Sequence, residues 1–155
     1  MLADIAPINY ELKGENQRRD RTHMTVSNQI NLGPADTFPL NAVRIVMAGN
    51  RDIGVVRRAD GRVQAVRNWC PHKGAPICKG PLTGTMLPDA PGALTWGRDG
   101  EILRCPWHGF EFDIATGTRP FTDSRMRLRV YPARIENGEV WVDIGPRRAT
   151  EEETP

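Results

Sequence analysis

Cysteine and histidine are both scarce in this sequence, with three of each among 155 residues, and long apolar runs are missing altogether. The longest, such as Val43 to Ala48 interrupted by Arg44, fall far short of the roughly 20 residues that a spanning helix needs, so no membrane partner is expected. Charge of one sign is also missing. Lysine and arginine number 21 against 19 acidic residues, a net charge of +2, with no basic run dense enough to follow a phosphate backbone, which excludes nucleic acid as a partner. Residues 1–10 have no basic start ahead of an apolar block, and Arg18-Arg19 leads into Asp20-Arg21-Thr22 and not into a hydrophobic segment, so the expected location is the cytoplasm. An odd and sparse set of cysteines makes a poor disulfide framework, and cysteines beside histidines in a reducing compartment more often bind metal.

Residues 1–28 are polar and carry neither the helical nor the strand period, which reads as an extended or disordered arm, and 148–155 read as an acidic flexible tail. Between them, 29–147 read as one domain around one core, a chain of 155 residues being long enough to bury roughly 70% of the surface its unfolded form exposes. Three segments share a plan of apolar run, tight-turn dipeptide, apolar run: Gly54 to Val66 around Asp60-Gly61, Leu94 to Leu103 around Asp99-Gly100, and Leu128 to Ile144 around Asn137-Gly138. Each predicts a β-hairpin, because these dipeptides supply positive φ and their flanks are β-branched at largely alternating positions. Further strands are expected at Val43 to Met47 and around Glu111 to Ile114, while Pro81 to Gly92 reads as an irregular loop. With 15 glycines and 13 prolines interrupting any helical stripe, the fold class is all-β, a small antiparallel barrel or sandwich.

The chemistry sits in Cys70-Pro71-His72-Lys73-Gly74-Ala75-Pro76 and Cys105-Pro106-Trp107-His108-Gly109-Phe110. Each offers one thiolate and one imidazole, and each follows an expected strand, so two loops at one end of a β scaffold can converge. Such a set also suits tetrahedral zinc, although zinc knuckles usually present CxxC or HxxxH pairs. The CxH and CxxH spacing, with its Pro and Gly neighbours and the run His108-Gly109-Phe110-Glu111-Phe112-Asp113, resembles the Rieske [2Fe-2S] family. The resemblance implies a Rieske-type barrel with a two-loop cluster-binding subdomain. It also implies a [2Fe-2S] cofactor, with Cys70 and Cys105 on one iron and His72 and His108 on the other. Gly74 and Gly109 would let backbone amides approach the cluster, Pro71 and Pro106 would fix the loops, and Trp107 would shield one side.

Departures from the family narrow the expectation. Respiratory Rieske proteins add a bridging disulfide, but the corresponding positions here are Ala75 and Trp107. Where those proteins place Ser and Tyr after the second histidine, this chain has Phe110 and Phe112, so the potential is expected toward the lower end of about −150 to +300 mV. The 32 residues between His72 and Cys105 exceed the usual gap, and the excess at Leu82 to Asp99 reads as an insertion, either harmless or a docking feature. Cys78 matches no ligand position and reads as a packed thiol, His23 as a solvated residue, and Lys73 and Lys79 as solvated or weakly steering charges.

Once His72 and His108 are assigned, only His23 remains, too few for the mononuclear iron site of a Rieske oxygenase, and no GxGxxG opens a helix after a strand. The chain therefore reads as an electron carrier and not a complete enzyme: a ferredoxin component taking single electrons from a reductase to a terminal oxygenase. Two alternatives are an iron–sulfur subunit of a permanent redox complex and a zinc-stabilised binding module.

Overall fold

A computed structural model describes residues 28–145. The arm at 1–28, apart from Asn28, the tail at 148–155 and His23 lie outside the described residues. Ten strands follow in order: β1 (Gln29–Pro34), β2 (Val43–Ala48), β3 (Arg51–Arg57), β4 (Val63–Arg67), β5 (Leu82–Leu87), β6 (Thr95–Arg104), β7 (Glu111–Asp113), β8 (Val130–Tyr131), β9 (Ala133–Glu136) and β10 (Glu139–Asp143). The helical pieces among the described residues are two 3-10 turns, Ala35–Thr37 and Ile77–Lys79. The strands form three antiparallel sheets, ordered β2-β3-β4-β8, β1-β10-β9 and β5-β6-β7.

The four-stranded sheet is a partition with an apolar face on each side. On β3, Ile53 and Val55 point to one side and Val56 to the other; on β4, Ala65 and Val66 divide the same way. This is the two-residue period of a strand applied to a run buried on both faces. One side packs on β1, β9 and β10 through Val140, Val142, Ile144 and Phe38. The other packs on the sheet β5-β6-β7 and its loops through Leu103, Phe112, Ile114, Ile77, Cys70 and Cys105. The single expected core is therefore two, sharing one wall.

Two of the three expected hairpins form. Across Asp60-Gly61, β3 pairs with β4, and the Arg58 amide donates to the Arg62 carbonyl at 2.8 Å. Across Asn137-Gly138, β9 pairs with β10, and both turn residues have positive φ, 52° and 78°, as a two-residue type I′ turn requires. Pro132 ends that hairpin early, leaving β8 to join the central sheet beside β4.

The third hairpin is a correction. Asp99-Gly100 does not reverse the chain: β6 runs through it from Thr95 to Arg104. Positive φ at Arg98 (60°) and Gly100 (73°) serves a bulge, where Arg98 to Glu101 lie opposite Gly84 alone. The bulge is held from outside, by Arg98 on Asp113 and Glu101, by the Trp96 indole donating to Asp99 at 2.6 Å, and by Arg58 donating to the Gly100 carbonyl. Pro81 to Gly92 is likewise not an irregular loop. Leu82–Leu87 forms β5, which pairs with β6, and the chain reverses between Leu87 and Thr95 instead. The insertion is thus a hairpin arm, with Met86, Leu94 and Trp96 exposed.

Candidate metal centre

The two motif loops fold on one hydrogen-bond plan. In the first, the Cys70 amide donates to the Ala75 carbonyl at 2.8 Å and the Gly74 amide to the Cys70 carbonyl at 2.8 Å. In the second, the Cys105 amide donates to the Phe110 carbonyl at 2.8 Å and the Gly109 amide to the Cys105 carbonyl at 3.0 Å. Cysteine to i+5 and i+4 back to cysteine recur without change. The glycines sit at φ 77° and 68°, a region that other residues enter at a cost of roughly 1–2 kcal/mol. Their own amides close the loops; the amides that face the Cys70 sulfur belong to His72 and Lys73.

Inside this frame the four sequence-derived residues come together as two pairs. Cys70 and Cys105 are buried neighbours at the base of the second core. Burial pushes the Cys70 thiol up, the His72 and Lys73 amides pull it back, and the adjacent Cys105 thiol raises it further. Above them the His72 and His108 rings meet edge to face at 4.7 Å between centroids. His72 is half-buried and His108 exposed. Burial lowers the His72 pKa first, and the charges of His108, Lys73 and Arg119 lower it further, a direction that favours the neutral imidazole over the charged one.

His72 Nδ1 is buried and has no hydrogen-bond partner among the described residues. Such an atom carries a desolvation penalty unless something outside the protein's own donors meets it. The donors stand in pairs, thiol beside thiol and imidazole against imidazole. That donor set fits a two-iron cluster.

Around the loops, Trp69 and Trp107 are exposed at 46% and 59%, and the Trp107 ring lies 6.5 Å from that of His108 at a steep angle to it. Lys73 and Lys79 are exposed. Phe112 is fully buried, whereas the Phe110 and His72 rings pack perpendicular to each other at 4.6 Å between centroids. Cys78 stands apart, buried against Gly54, its amide donating to Asn68 Oδ1 at 2.9 Å. Burial pushes its thiol up to about 12. The sequence reading missed Arg119, whose guanidinium lies over the Phe110 ring at 4.4 Å. Nothing in the local pattern of Gly117-Thr118-Arg119-Pro120 marks it, because a turn after β7 brings it back to the site.

The Rieske [2Fe-2S] domain family model matches residues 28–132. The anthranilate 1,2-dioxygenase ferredoxin subunit of Burkholderia cepacia is 29% identical over 80% of this chain and 99% of its own length. The 5,5'-dehydrodivanillate O-demethylase oxygenase subunit of a Sphingobium species is 27% identical over 77% of this chain, which spans only 27% of that subunit. Among solved structures, the Sphingomonas yanoikuyae B1 ferredoxin superposes with a TM-score of 0.54 at 26% identity, covering 74% of this chain and 97% of that one. With two loops of matched design, paired cysteines below paired histidines, and a family match across most of its length, the chain belongs to the Rieske [2Fe-2S] domain family.

Proposed function

We propose that this chain is a Rieske-type ferredoxin that carries single electrons from a reductase to a terminal oxygenase. In this reading Cys70 and Cys105 hold the inner iron and His72 and His108 the outer one, within a domain spanning 29–147. The observation that carries it is the two-tier pairing of the donors, with His72 Nδ1 buried and unpartnered among the described residues. When bound, a [2Fe-2S] cluster supplies a one-electron couple.

The protein's own residues do the rest. The Cys70–Ala75 and Cys105–Phe110 loop closures fix the backbone that carries the ligands, and the amides of His72 and Lys73 direct donors at a buried sulfur. Exposed His108 offers an electron a route out of the fold. Coverage of nearly the whole Burkholderia ferredoxin subunit supports a carrier, and the compartment proposed for it is the cytoplasm, where thiols stay reduced.

The test is reduction of the purified protein followed by paramagnetic resonance and mixing with a terminal oxygenase. A rhombic reduced-cluster signal that disappears as the oxygenase is reduced is the expected result. A colourless protein with stoichiometric zinc removes the cluster, and a reduced protein that passes no electron to any oxygenase removes the role. A second reading, a subunit of a permanent redox complex, draws on the exposed Met86, Leu94 and Trp96 of the β5–β6 arm. Co-elution with a fixed partner during size exclusion distinguishes it.

A further inference from the structure

Arg119 is placed by backbone, not by chance of a long side chain. Asp113 at the end of β7 accepts from the Ala115 and Thr116 amides through Oδ1 at 2.7 and 3.0 Å, folding a tight turn. The Gly117 amide closes it on the Asp113 carbonyl at 2.8 Å. The chain then returns alongside β7: the Asp113 amide donates to the Thr118 carbonyl at 2.8 Å, and Thr118 bridges to Arg127 on its other side. The next residue is Arg119, fixed to within one position of a doubly paired backbone.

Its guanidinium rests on the face of Phe110, 4.4 Å from the centroid, and the edge-to-face packing of Phe110 against His72 spans 4.6 Å. The cation thus lies within about 9 Å of the His72 ring. Among the described residues no carboxylate pairs with it, and its Nε is buried without a partner. An unneutralised, partly desolvated charge acts over such a distance with little screening. Phe110 has no hydroxyl to donate to a cluster, but its π face seats a positive charge.

Resting on the ligand reading given above, we propose that Arg119 is a positioning and charge-compensating residue. Through Phe110 it holds a fixed positive charge beside the histidine pair and raises the affinity of the cluster for an electron. Reduction adds one negative charge to the cluster and oxidation removes it; the partner protein or electrode supplies and receives the electron. A cation nearby favours the reduced state, so deleting it lowers the potential.

The experiment is an optical redox titration of the cluster-loaded protein against a mediator dye of known potential, for wild type, Arg119→Gln and Arg119→Lys. In Arg119→Gln the electron-exchange equilibrium with the dye shifts about tenfold toward the oxidised cluster, equivalent to about 59 mV for one electron. Arg119→Lys keeps the charge and stays within about threefold of wild type. Equal potentials in wild type and Arg119→Gln, with both clusters intact by visible absorption, overturn the proposal. So does a full tenfold loss in Arg119→Lys, which would make shape and not charge the cause. If Arg119→Gln does not hold a cluster, Phe110→Leu removes the seat and leaves the charge. Its potential falls by a smaller factor on this proposal, and an unchanged potential overturns it. A wild-type protein lacking the reduced-cluster signal sinks the ligand reading itself, which separates the two failures.

Discussion

Replacing Gly54 by alanine probes one contact between the central sheet and the cluster-binding half. Gly54 lies on β3 with its bare Cα facing Cys78; an added Cβ falls inside the van der Waals envelope of the Cys78 sulfur, 2.9 Å from Val43 Cγ1 and 3.1 Å from Cys78 Cβ. Ordinary carbon contacts begin near 3.5 Å. Gly54 has no positive φ, so the effect is steric and not conformational. Val43 is tied into the β2–β3 register opposite Val56, and Cys78 is anchored by its amide on Asn68, so neither can move freely. Overpacking of this kind costs about 1–3 kcal/mol, against a gain of about 0.4–1 kcal/mol from a stiffer unfolded chain. The net loss of about 1–2 kcal/mol lowers the melting temperature by about 3–8 °C. Cys78→Ala alone also destabilises, by leaving a void. In the double variant the new methyl occupies the space the sulfur vacates, and the two effects offset each other by about 1 kcal/mol or more. Urea melts of the four proteins followed by circular dichroism measure this. Effects that add to within about 0.5 kcal/mol refute the packing argument.

Three further outcomes are expected. Burial works against the Asp113 carboxylate, but Arg98 and the Thr116 and Ala115 amides outweigh it and hold its pKa below the usual range. Its contribution is therefore complete above the unfolded value of about 3.9 and is lost as the pH falls below that. Asp113→Asn should be less stable at pH 7 by about 1–3 kcal/mol and lose less on acidification; parallel acid curves contradict this. Cys78, its thiol raised to about 12 by burial, should resist iodoacetamide at pH 8 in the folded protein and react on unfolding; labelling at the rate of a free thiol contradicts the packing. His108→Cys should either lose the cluster or move its potential on the order of 100 mV toward the about −400 mV of all-cysteine clusters, and an unchanged potential in redox titration contradicts histidine ligation.

Local chemistry was legible where it settles a structure by itself. Asn137-Gly138 announces a two-residue turn because two adjacent residues of positive φ suit little else between alternating strands. Asp99-Gly100 has the same composition but serves a bulge, and what decides between the two is Arg98 reaching Asp113 and Arg58 reaching the Gly100 carbonyl, contacts made only in the folded chain. β1 escaped notice because its partner β10 lies more than a hundred residues away, as in the pairing of Gln29 with Asp143. At the site, CxH and CxxH are short motifs and name their own residues, and the fold sets Cys70 beside Cys105 and His72 against His108. Arg119 was invisible for the opposite reason. Its place depends on the Asp113-capped turn, a matter of side-chain hydrogen bonds that no periodicity encodes.

The partition sheet also governs how the molecule comes apart. Ile53 and Val55 serve one core, while Val56, one residue along the same strand, serves the other. Neither half can open without stripping an apolar face from the wall that supports its neighbour, so local melting around the metal loops has no inexpensive intermediate to stop at. Iron release and loss of β-structure should then trace a single coincident transition, and bleaching of the cluster becomes a direct optical gauge of global unfolding.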